Sequence, residues 1–466
     1  MTTSAAIEQW VQATQPKPKA RSVPRENVGL RRLFWLYFWL LIFEGVLRKW
    51  VVPSLSIPLL MIRDPIPLAI LWIGIRQRVF PRTVGIYMWL FLALALATAG
   101  FFVLPDHPEV VLYGLKCDFL HLTMLAIAPI LLESADLDRF FRAVIWLSVP
   151  IGLLMAWQFH APPHAWINSG LDGTFKQLDS SGGHIRPPGP FSFIAGPMCF
   201  CALLAALLTG AAVDRRRISR PLLLVGAGAL IVAGLYSSSR SLVGGVAVVV
   251  LTGLLGAMAV NPRVFGRYLG ILVALGFVGV IISTSSMMED SVQVFSNRVS
   301  NASRNEGGGE GFVNRYFGDF AKVVPAVQTA PFAGYGLGLG TNGGASILTG
   351  KTKFLLAETE WPRVVLESGP VLGLLFIAFR IYLVIWLGWR SLQAVRRGTV
   401  LAACLLGACG ANLVTGQFGQ ATIVGFTMFT AGLCLTAAER GDEPAAEAGA
   451  EGPGLRGSTP GNPVLV

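Results

Sequence analysis

Three arginines stand in polar stretches between apolar segments and carry the chemistry needed to hold an anion. Arg186 precedes a Pro-Pro-Gly-Pro run, and Arg240 follows three consecutive serines. Arg315 lies in a long polar stretch, four residues before Asp319. A guanidinium suits a phosphate ligand because its planar fork donates two hydrogen bonds without losing its charge. The simpler interpretations are, in the same order, an interfacial anchor, a solvated loop cation and a surface ion pair.

Three glutamates near the start of a later apolar segment are candidate catalytic bases. Glu358 and Glu360 precede the segment, and Glu367 lies inside it. A hydroxyl that attacks as a nucleophile must lose its proton, and a half-desolvated carboxylate has the raised proton affinity needed to accept it. Glu367 follows Arg363 by four residues, so an ion pair along one helix face is the alternative interpretation.

A second set of charged residues lies near the beginning of the chain, inside or beside apolar sequence. Glu44 and Arg48 are four residues apart and share a helix face, and Arg63 is followed directly by Asp64. An unpaired charge at the centre of a membrane costs about 3 kcal/mol. We therefore expect these four residues to form a buried network that supports the site. A polar bundle interior is also indicated by Lys116, Asp118 and His121.

Neither a metal site nor a nucleotide-binding loop is indicated by the sequence. The six cysteines form no Cys-x-x-Cys pair, and the histidines lack metal-ligand spacing. A phosphate-binding glycine loop follows a β-strand. No strand is predicted before the glycine-rich stretch from Gly334 to Gly340. We expect catalysis without a metal or a cofactor.

The composition predicts an all-α polytopic membrane protein. Of the 466 residues, 53% are hydrophobic and only 14% are charged, whereas soluble domains carry about 25% charged residues. The net charge of +11 comes from short basic clusters beside apolar segments, a pattern that fixes membrane topology. The sequence therefore does not favour a nucleic-acid partner.

About twelve apolar segments have the length and composition of transmembrane helices. They lie near residues 33–51, 57–75, 83–104, 109–132, 140–160, 191–213, 219–236, 241–260, 267–284, 363–388, 399–415 and 419–438. Together they form one membrane domain, residues 33–438.

The basic clusters predict that both termini are cytoplasmic. The basic tail 1–32 and the tail 439–466 then lie inside, and the latter is expected to be disordered because it lacks apolar periodicity. Two large loops, about 161–190 and 285–361, lie outside, and the second is expected to contain two amphipathic helices. All three candidate anion-binding arginines then lie on the outer side.

These features together resemble the O-antigen polymerase and ligase superfamily, the Wzy-type polymerases and WaaL-type ligases of bacterial envelope polysaccharides. The resemblance rests on the number of spans, the Arg-Pro-Pro-Gly segment at Arg186 and the Ser-Ser-Arg-Ser turn at Arg240. It also rests on a long outer loop with Arg315, on Pro-Phe-Ala-Gly-Tyr-Gly-Leu-Gly from Pro331, and on Leu-Glu-Ser-Gly-Pro-Val-Leu-Gly from Leu366.

The resemblance implies a metal-independent glycosyltransferase of the bacterial inner membrane that works at the periplasmic face. Its donor would be an undecaprenyl-pyrophosphate-linked oligosaccharide. By position, Arg186 and Arg315 would bind the pyrophosphate, and a flippase and a chain-length regulator would be partners. Fixed guanidinium groups suit this role because they stabilise the charge that develops on the leaving pyrophosphate.

One departure from the resemblance favours a polymerase. WaaL-type ligases usually carry a histidine late in the long loop, whereas residues 285–361 contain none, and Glu358 and Glu360 stand there instead. A ligase that transfers glycan to lipid A core or another acceptor is the first alternative. A flippase or secondary transporter is the second, although the internal repeats common in transporters are not evident here.

Overall fold

A computed structural model describes residues 28–171, 183–214, 218–260, 262–284, 289–294, 296, 300, 320–350 and 354–440. Within these ranges the chain forms fifteen α-helices with defined bounds, two further helical stretches at 289–294 and 320–329, and no β-sheet. Most of both predicted tails, residues 1–27 and 441–466, lies outside the described residues.

Most of the helices follow one another with short connections, and the long intervals are 161–194 and 284–341. The first eight are α1 (Val28–Val46), α2 (Ser56–Leu59), α3 (Pro65–Arg76), α4 (Val84–Val103), α5 (Pro108–Leu115), α6 (Leu122–Leu131), α7 (Ser134–His160) and α8 (Ala195–Val213). The other seven are α9 (Arg220–Tyr236), α10 (Arg240–Val260), α11 (Pro262–Ser283), α12 (Asn342–Thr349), α13 (Glu360–Arg396), α14 (Leu401–Thr415) and α15 (Ala421–Arg440).

Each of the twelve predicted apolar segments is helical over most of its length, and seven described helical stretches are long and apolar enough to cross a membrane. The seven are α4, the combined stretch Pro108–Leu131, α7, α8, α10, α13 and α15. Shorter apolar helices of 12, 17 and 15 residues are α3, α9 and α14. By helix length and hydropathy, the chain is a multi-pass membrane protein.

Two of the predicted segments are interrupted at charged residues. The segment 57–75 is divided between α2 and α3, and Arg63 and Asp64 lie in the turn between them. The segment 109–132 contains the π-helical turn Lys116–Leu120, which carries Asp118. Both interruptions turn charged side chains toward partners inside the bundle, as the cost of an unpaired intramembrane charge requires.

Helices α8 and α15 form the centre of the bundle. Both are buried over nearly their whole length, whereas α4 and α10 expose most of theirs. Small residues allow the close packing, and a Cβ added at Gly432 of α15 would lie 2.8 Å from the Met124 carbonyl oxygen. The outer surface of α4 is apolar, with Leu94 and Phe102 exposed, as a lipid-facing helix requires.

Helix α13 is broken near its beginning, and the glycine-rich turn packs into the break. Gly369 has φ 78° and ψ 167°, a conformation that is essentially restricted to glycine. Beside it, Tyr335 N–H donates to the Leu366 carbonyl at 2.8 Å and Gly336 N–H donates to the Glu367 carbonyl at 3.0 Å. The two sequence motifs that begin at Pro331 and Leu366 therefore contact each other.

The second predicted amphipathic helix is present where the loop is described. Residues 320–329 are helical, and Val323 and Val327 pack against the core. Phe320 contacts the Trp361 ring edge to face, with 4.1 Å between the ring centroids. Part of the first predicted helix is helical over residues 289–294. Residues 301–319 lie outside the described ranges.

The break in α13 predicts a stability effect. Gly369→Ala should destabilise the protein by about 1 to 3 kcal/mol because a Cβ is strained at this φ and ψ, and it would also collide with the Phe332 carbonyl oxygen. The matched control is Gly228→Ala on α9, where a Cβ meets nothing within 4 Å and helix propensity improves. Thermal unfolding in nanodiscs measures both changes. An unfolding temperature for Gly369→Ala at or above that of the control would contradict this account.

Candidate functional site

Arg186 and Arg240, 54 positions apart in the sequence, line the same cavity of about 280 Å³. Both side chains are half-buried. We call this cavity the two-arginine pocket. Its walls also contain the apolar side chains of Phe193, Met198 and Ile423. The pocket therefore combines two fixed positive charges with an apolar surface.

Three helices begin at the two-arginine pocket. Its lining includes Ala195 at the start of α8, Arg240 and Ser241 at the start of α10, and Gln420 directly before α15. The first N–H groups of a helix have no partners within that helix, and its N-terminus carries about half a positive charge. The three helix ends add to the charge of the two arginines, so the pocket has the electrostatics of an anion site.

The serines before Arg240 build the turn that positions it. Ser238 has φ 48°, an uncommon backbone conformation for a residue with a side chain. The Ser237 hydroxyl donates to the Gly234 carbonyl at 2.8 Å and accepts from Ser239 N–H at 3.2 Å. The Ser239 hydroxyl accepts from Leu242 N–H at 3.4 Å. The hydroxyls of Ser237 and Ser239 thus fix the start of α10.

Two side chains from other parts of the fold hold the segment after Arg186 through hydrogen bonds to its backbone. Gly189 has φ 60°, and its N–H donates to Gln158 Oε1 at 2.8 Å. Its carbonyl accepts from Lys49 Nζ at 2.7 Å. Gly45 lets α1 lie directly against the backbone of the Pro-Phe-Ser stretch that follows. The Lys49 side chain, in the π-helical turn Leu47–Val51 that follows α1, and the Gln158 side chain of α7 thus position the backbone that carries Arg186.

The predicted polar network near the N-terminus extends to this segment. Glu44 contacts Arg63 Nε at 2.6 Å and Arg48 Nη1 at 3.0 Å, and all three side chains are buried. Arg48 also donates to the Ser192 hydroxyl at 3.3 Å, next to Phe193 of the pocket wall. Glu44 thus balances two arginines, one of which reaches the pocket wall.

The fourth predicted member of this network, Asp64, has its own partners. It contacts Lys116 Nζ at 2.8 Å and His121 Nε2 at 3.7 Å. The Tyr37 hydroxyl lies 2.7 Å from His121 Nδ1. These contacts form a separate polar cluster that connects α1, the start of α3 and the π-helical turn Lys116–Leu120.

A second network surrounds Arg363 at the beginning of α13. All of its members are buried. Arg363 pairs with Asp118 at 2.9 Å, Glu360 at 2.9 Å and Glu367 at 2.7 Å. Arg380 contacts Glu360 at 2.6 Å from the next part of the helix. Two arginines therefore face three carboxylates.

This second network fixes the connection between α14 and α15. Arg380 donates to the Leu413 and Gly416 carbonyls, both at 2.7 Å, and its guanidinium stacks over the Phe418 ring at 3.7 Å. Glu360 accepts from Phe418 N–H at 3.2 Å. Because α15 begins directly after this connection, the network also sets the position of that helix end in the two-arginine pocket.

The three candidate catalytic glutamates occupy different environments. Glu360 and Glu367 are each 1% exposed and paired with arginine, and neither lines the two-arginine pocket. Glu358 is exposed and lines a second cavity of about 340 Å³. Its carbonyl accepts from Gln417, whose side chain is hydrogen-bonded to Gln420 of the pocket wall. Glu358 is therefore connected to the two-arginine pocket through two side chains.

Sequence reasoning did not identify Arg380, Gln417 or Gln420. The signal for Arg380 was present, because it is a charged residue in the middle of an apolar segment. The glutamines are uncharged and only the fold brings them to the pocket. Arg315 lies outside the described residues, so its predicted role stays a prediction. In the described part of the chain, no three His, Cys, Asp or Glu side chains are arranged to hold a metal.

The buried pair of Glu360 and Arg380 predicts a large stability effect. Arg380→Met should destabilise the protein by about 3 to 5 kcal/mol because one partner of a buried ion pair is lost. The control is Arg390→Met, which removes an ion pair with Glu439 that is 35% exposed on each side and should cost less than about 1 kcal/mol. Thermal unfolding in nanodiscs compares the two. Equal unfolding temperatures would show that the buried pair is not a stabilising element.

Comparison with known proteins finds no family model and no curated protein that matches this chain. Its function is therefore inferred from the residues of the pocket, from the two networks that position it, and from the resemblance described above.

Proposed function

We propose that the protein is a polysaccharide polymerase that joins undecaprenyl-pyrophosphate-linked repeat units at the periplasmic face of the bacterial inner membrane. The observation that carries the proposal is the two-arginine pocket, where Arg186 and Arg240 meet the N-termini of three helices. A pyrophosphate carries the negative charge and the many acceptor oxygens that such a pocket binds. The protein would receive its donor from a flippase and act beside a chain-length regulator.

The apolar part of the pocket supports a lipid-linked ligand over a free anion. Phe193, Met198 and Ile423 stand beside the guanidinium groups, and small-molecule sites commonly combine apolar walls with a few placed polar groups. An isoprenoid pyrophosphate has the matching structure, an apolar chain attached to a charged head. The apolar chain would extend from the pocket into the surrounding lipid.

The proposed reaction transfers a glycan from the lipid to a hydroxyl. The acceptor oxygen forms a bond to the anomeric carbon of the donor glycan, and the bond between that carbon and the pyrophosphate oxygen breaks. Its electron pair leaves with the lipid pyrophosphate. Arg186 and Arg240 stabilise the charge that develops there, in a site where their positions are fixed before the reaction. The hydroxyl proton passes to a carboxylate.

Glu358 is the glutamate that best suits the proton transfer. It is exposed, and its backbone is connected through Gln417 and Gln420 to the wall of the two-arginine pocket. Glu360 and Glu367 instead balance the charge of Arg363 within the buried network. A base must reach the proton that it abstracts, which an exposed side chain beside a cavity can do.

The proposal predicts that the two arginines are required for polymer synthesis. Arg186→Ala and Arg240→Ala should each reduce the rate of elongation of purified lipid-linked repeat units by about 10²- to 10³-fold, the effect of removing one fixed donor to a developing anion. Arg→Lys should restore little, because an ammonium cannot make the two parallel hydrogen bonds. The matched control is Arg82→Ala, an exposed arginine on the predicted cytoplasmic side.

Normal elongation by stably inserted Arg186→Ala and Arg240→Ala proteins would contradict the proposal. Product analysis separates the alternatives. Loss of a polymerase leaves single repeats, whereas loss of a ligase leaves long chains on undecaprenyl pyrophosphate. Movement of lipid-linked glycan across reconstituted vesicles without elongation would instead indicate a flippase.

A further prediction concerns the base. Glu358→Gln should lower the rate of elongation by about 10²- to 10⁴-fold while the protein still retains the lipid-linked donor, as measured by native mass spectrometry. The control is Glu109→Gln, another exposed glutamate on the predicted outer side. Equal elongation rates for the two variants would exclude Glu358 as the base.

A further inference from the structure

We propose that the second cavity, between the outer helix 320–329 and the beginning of α13, holds the terminal sugar of the acceptor glycan. This inference rests on the proposed function. The cavity has a volume of about 340 Å³ and is lined by Lys322, Ala326, Thr329, Glu358, Thr359 and Leu366, among others. We call it the acceptor cavity. Its volume is at the lower end of the range for small-molecule sites, which suits one end of a sugar chain.

The walls of the acceptor cavity match the chemistry of a saccharide. Lys322, Thr329 and Glu358 supply charged and hydroxyl groups, whereas Ala326 and Leu366 supply apolar surface. A sugar ring has the same two kinds of surface, because its hydroxyls project from the edge and its C–H groups lie on the faces. Polar groups of this kind fix orientation in a ligand site, and apolar walls provide contact area.

Thr359 adds a further hydroxyl to the acceptor cavity. It stands at the N-cap of α13, but its side chain makes no capping hydrogen bond. Threonine is common at this position because its hydroxyl accepts a bond from the first turn of the helix. Here the residue instead lines the cavity. A sugar hydroxyl bound in the cavity can form a hydrogen bond with this side chain.

The acceptor cavity is separated from the two-arginine pocket by a pair of glutamines. Gln417 donates to the Glu358 carbonyl on one side, and its hydrogen-bonded partner Gln420 lines the two-arginine pocket on the other. Transfer requires the acceptor hydroxyl to lie close to the anomeric carbon and to approach it away from the leaving group. The glutamine pair joins a residue of the acceptor cavity to a residue of the two-arginine pocket, which is the connection that neighbouring acceptor and donor sites need.

Filling the acceptor cavity tests the inference. Ala326 is 6% exposed and lines the cavity, whereas Val324 on the same helix is 58% exposed and does not. Ala326→Phe should raise the KM for a soluble repeat-unit acceptor by about tenfold or more, and Val324→Phe should leave it unchanged. Retention of the lipid-linked donor by the full chain in nanodiscs, measured by native mass spectrometry, should be equal in both variants.

A second variant tests the cavity without adding volume. Thr359→Val keeps the shape of the side chain and removes its hydroxyl, so the acceptor KM should rise by about three- to tenfold with unchanged donor retention. This variant decides the question if Ala326→Phe does not fold.

An acceptor KM for Thr359→Val equal to that of the wild type would overturn the inference. The inference would also be overturned if a folded Ala326→Phe protein had the same acceptor KM as Val324→Phe. Either result, with normal elongation by the wild type, would leave the proposed function intact. Failure of the wild type to retain or elongate the donor would instead overturn the proposed function itself.

Discussion

The pairing of Glu360 with two buried arginines is the interaction on which the helix ends around the two-arginine pocket depend. Arg363 and Arg380 both contact this carboxylate, at 2.9 and 2.6 Å. Buried charges are tolerated when each has a partner, because desolvation would otherwise exceed any gain from packing. Arg380 also holds the carbonyl groups at the end of α14. One charge cluster thus determines where α14 ends and where α15 begins.

The N-terminal network does the same for the opposite wall of the two-arginine pocket. Glu44 and Arg48 join α1 to Ser192, and Lys49 holds the Gly189 carbonyl. Buried ion pairs therefore stabilise the walls, while the arginines of the pocket itself are half-buried. This division is suited to a site that must bind an anion and release it. The supporting charges stay satisfied whether or not the ligand is present.

The sequence predicts the elements of this protein better than their assembly. Each of the twelve apolar segments is helical over most of its length, and seven described helical stretches are long and apolar enough to cross a membrane. Apolar length predicts helices well because burial of the backbone in a membrane leaves few alternatives. Isolated charges in those segments identify Glu44, Arg63 and Asp118 as members of a polar interior. Which carboxylate meets which arginine depends on packing between distant segments, as in the pair of Asp118 and Arg363. Gln417 and Gln420 could not be identified from the sequence for the same reason. Their positions follow from the connection between α14 and α15, which Arg380 holds in place.

The contact of the glycine-rich turn with the break in α13 is made largely by main-chain atoms. The N–H groups of Tyr335 and Gly336 bond to carbonyls of α13, and Gly369 leaves room for the turn. This main-chain contact, which fixes the end of the long loop to α13, therefore depends little on which side chains the rest of the loop carries. Substitutions in helix 320–329 can alter the lining of the second cavity while the register of this main-chain contact stays unchanged. Such a separation lets the surface of the loop change over evolution without rebuilding the scaffold.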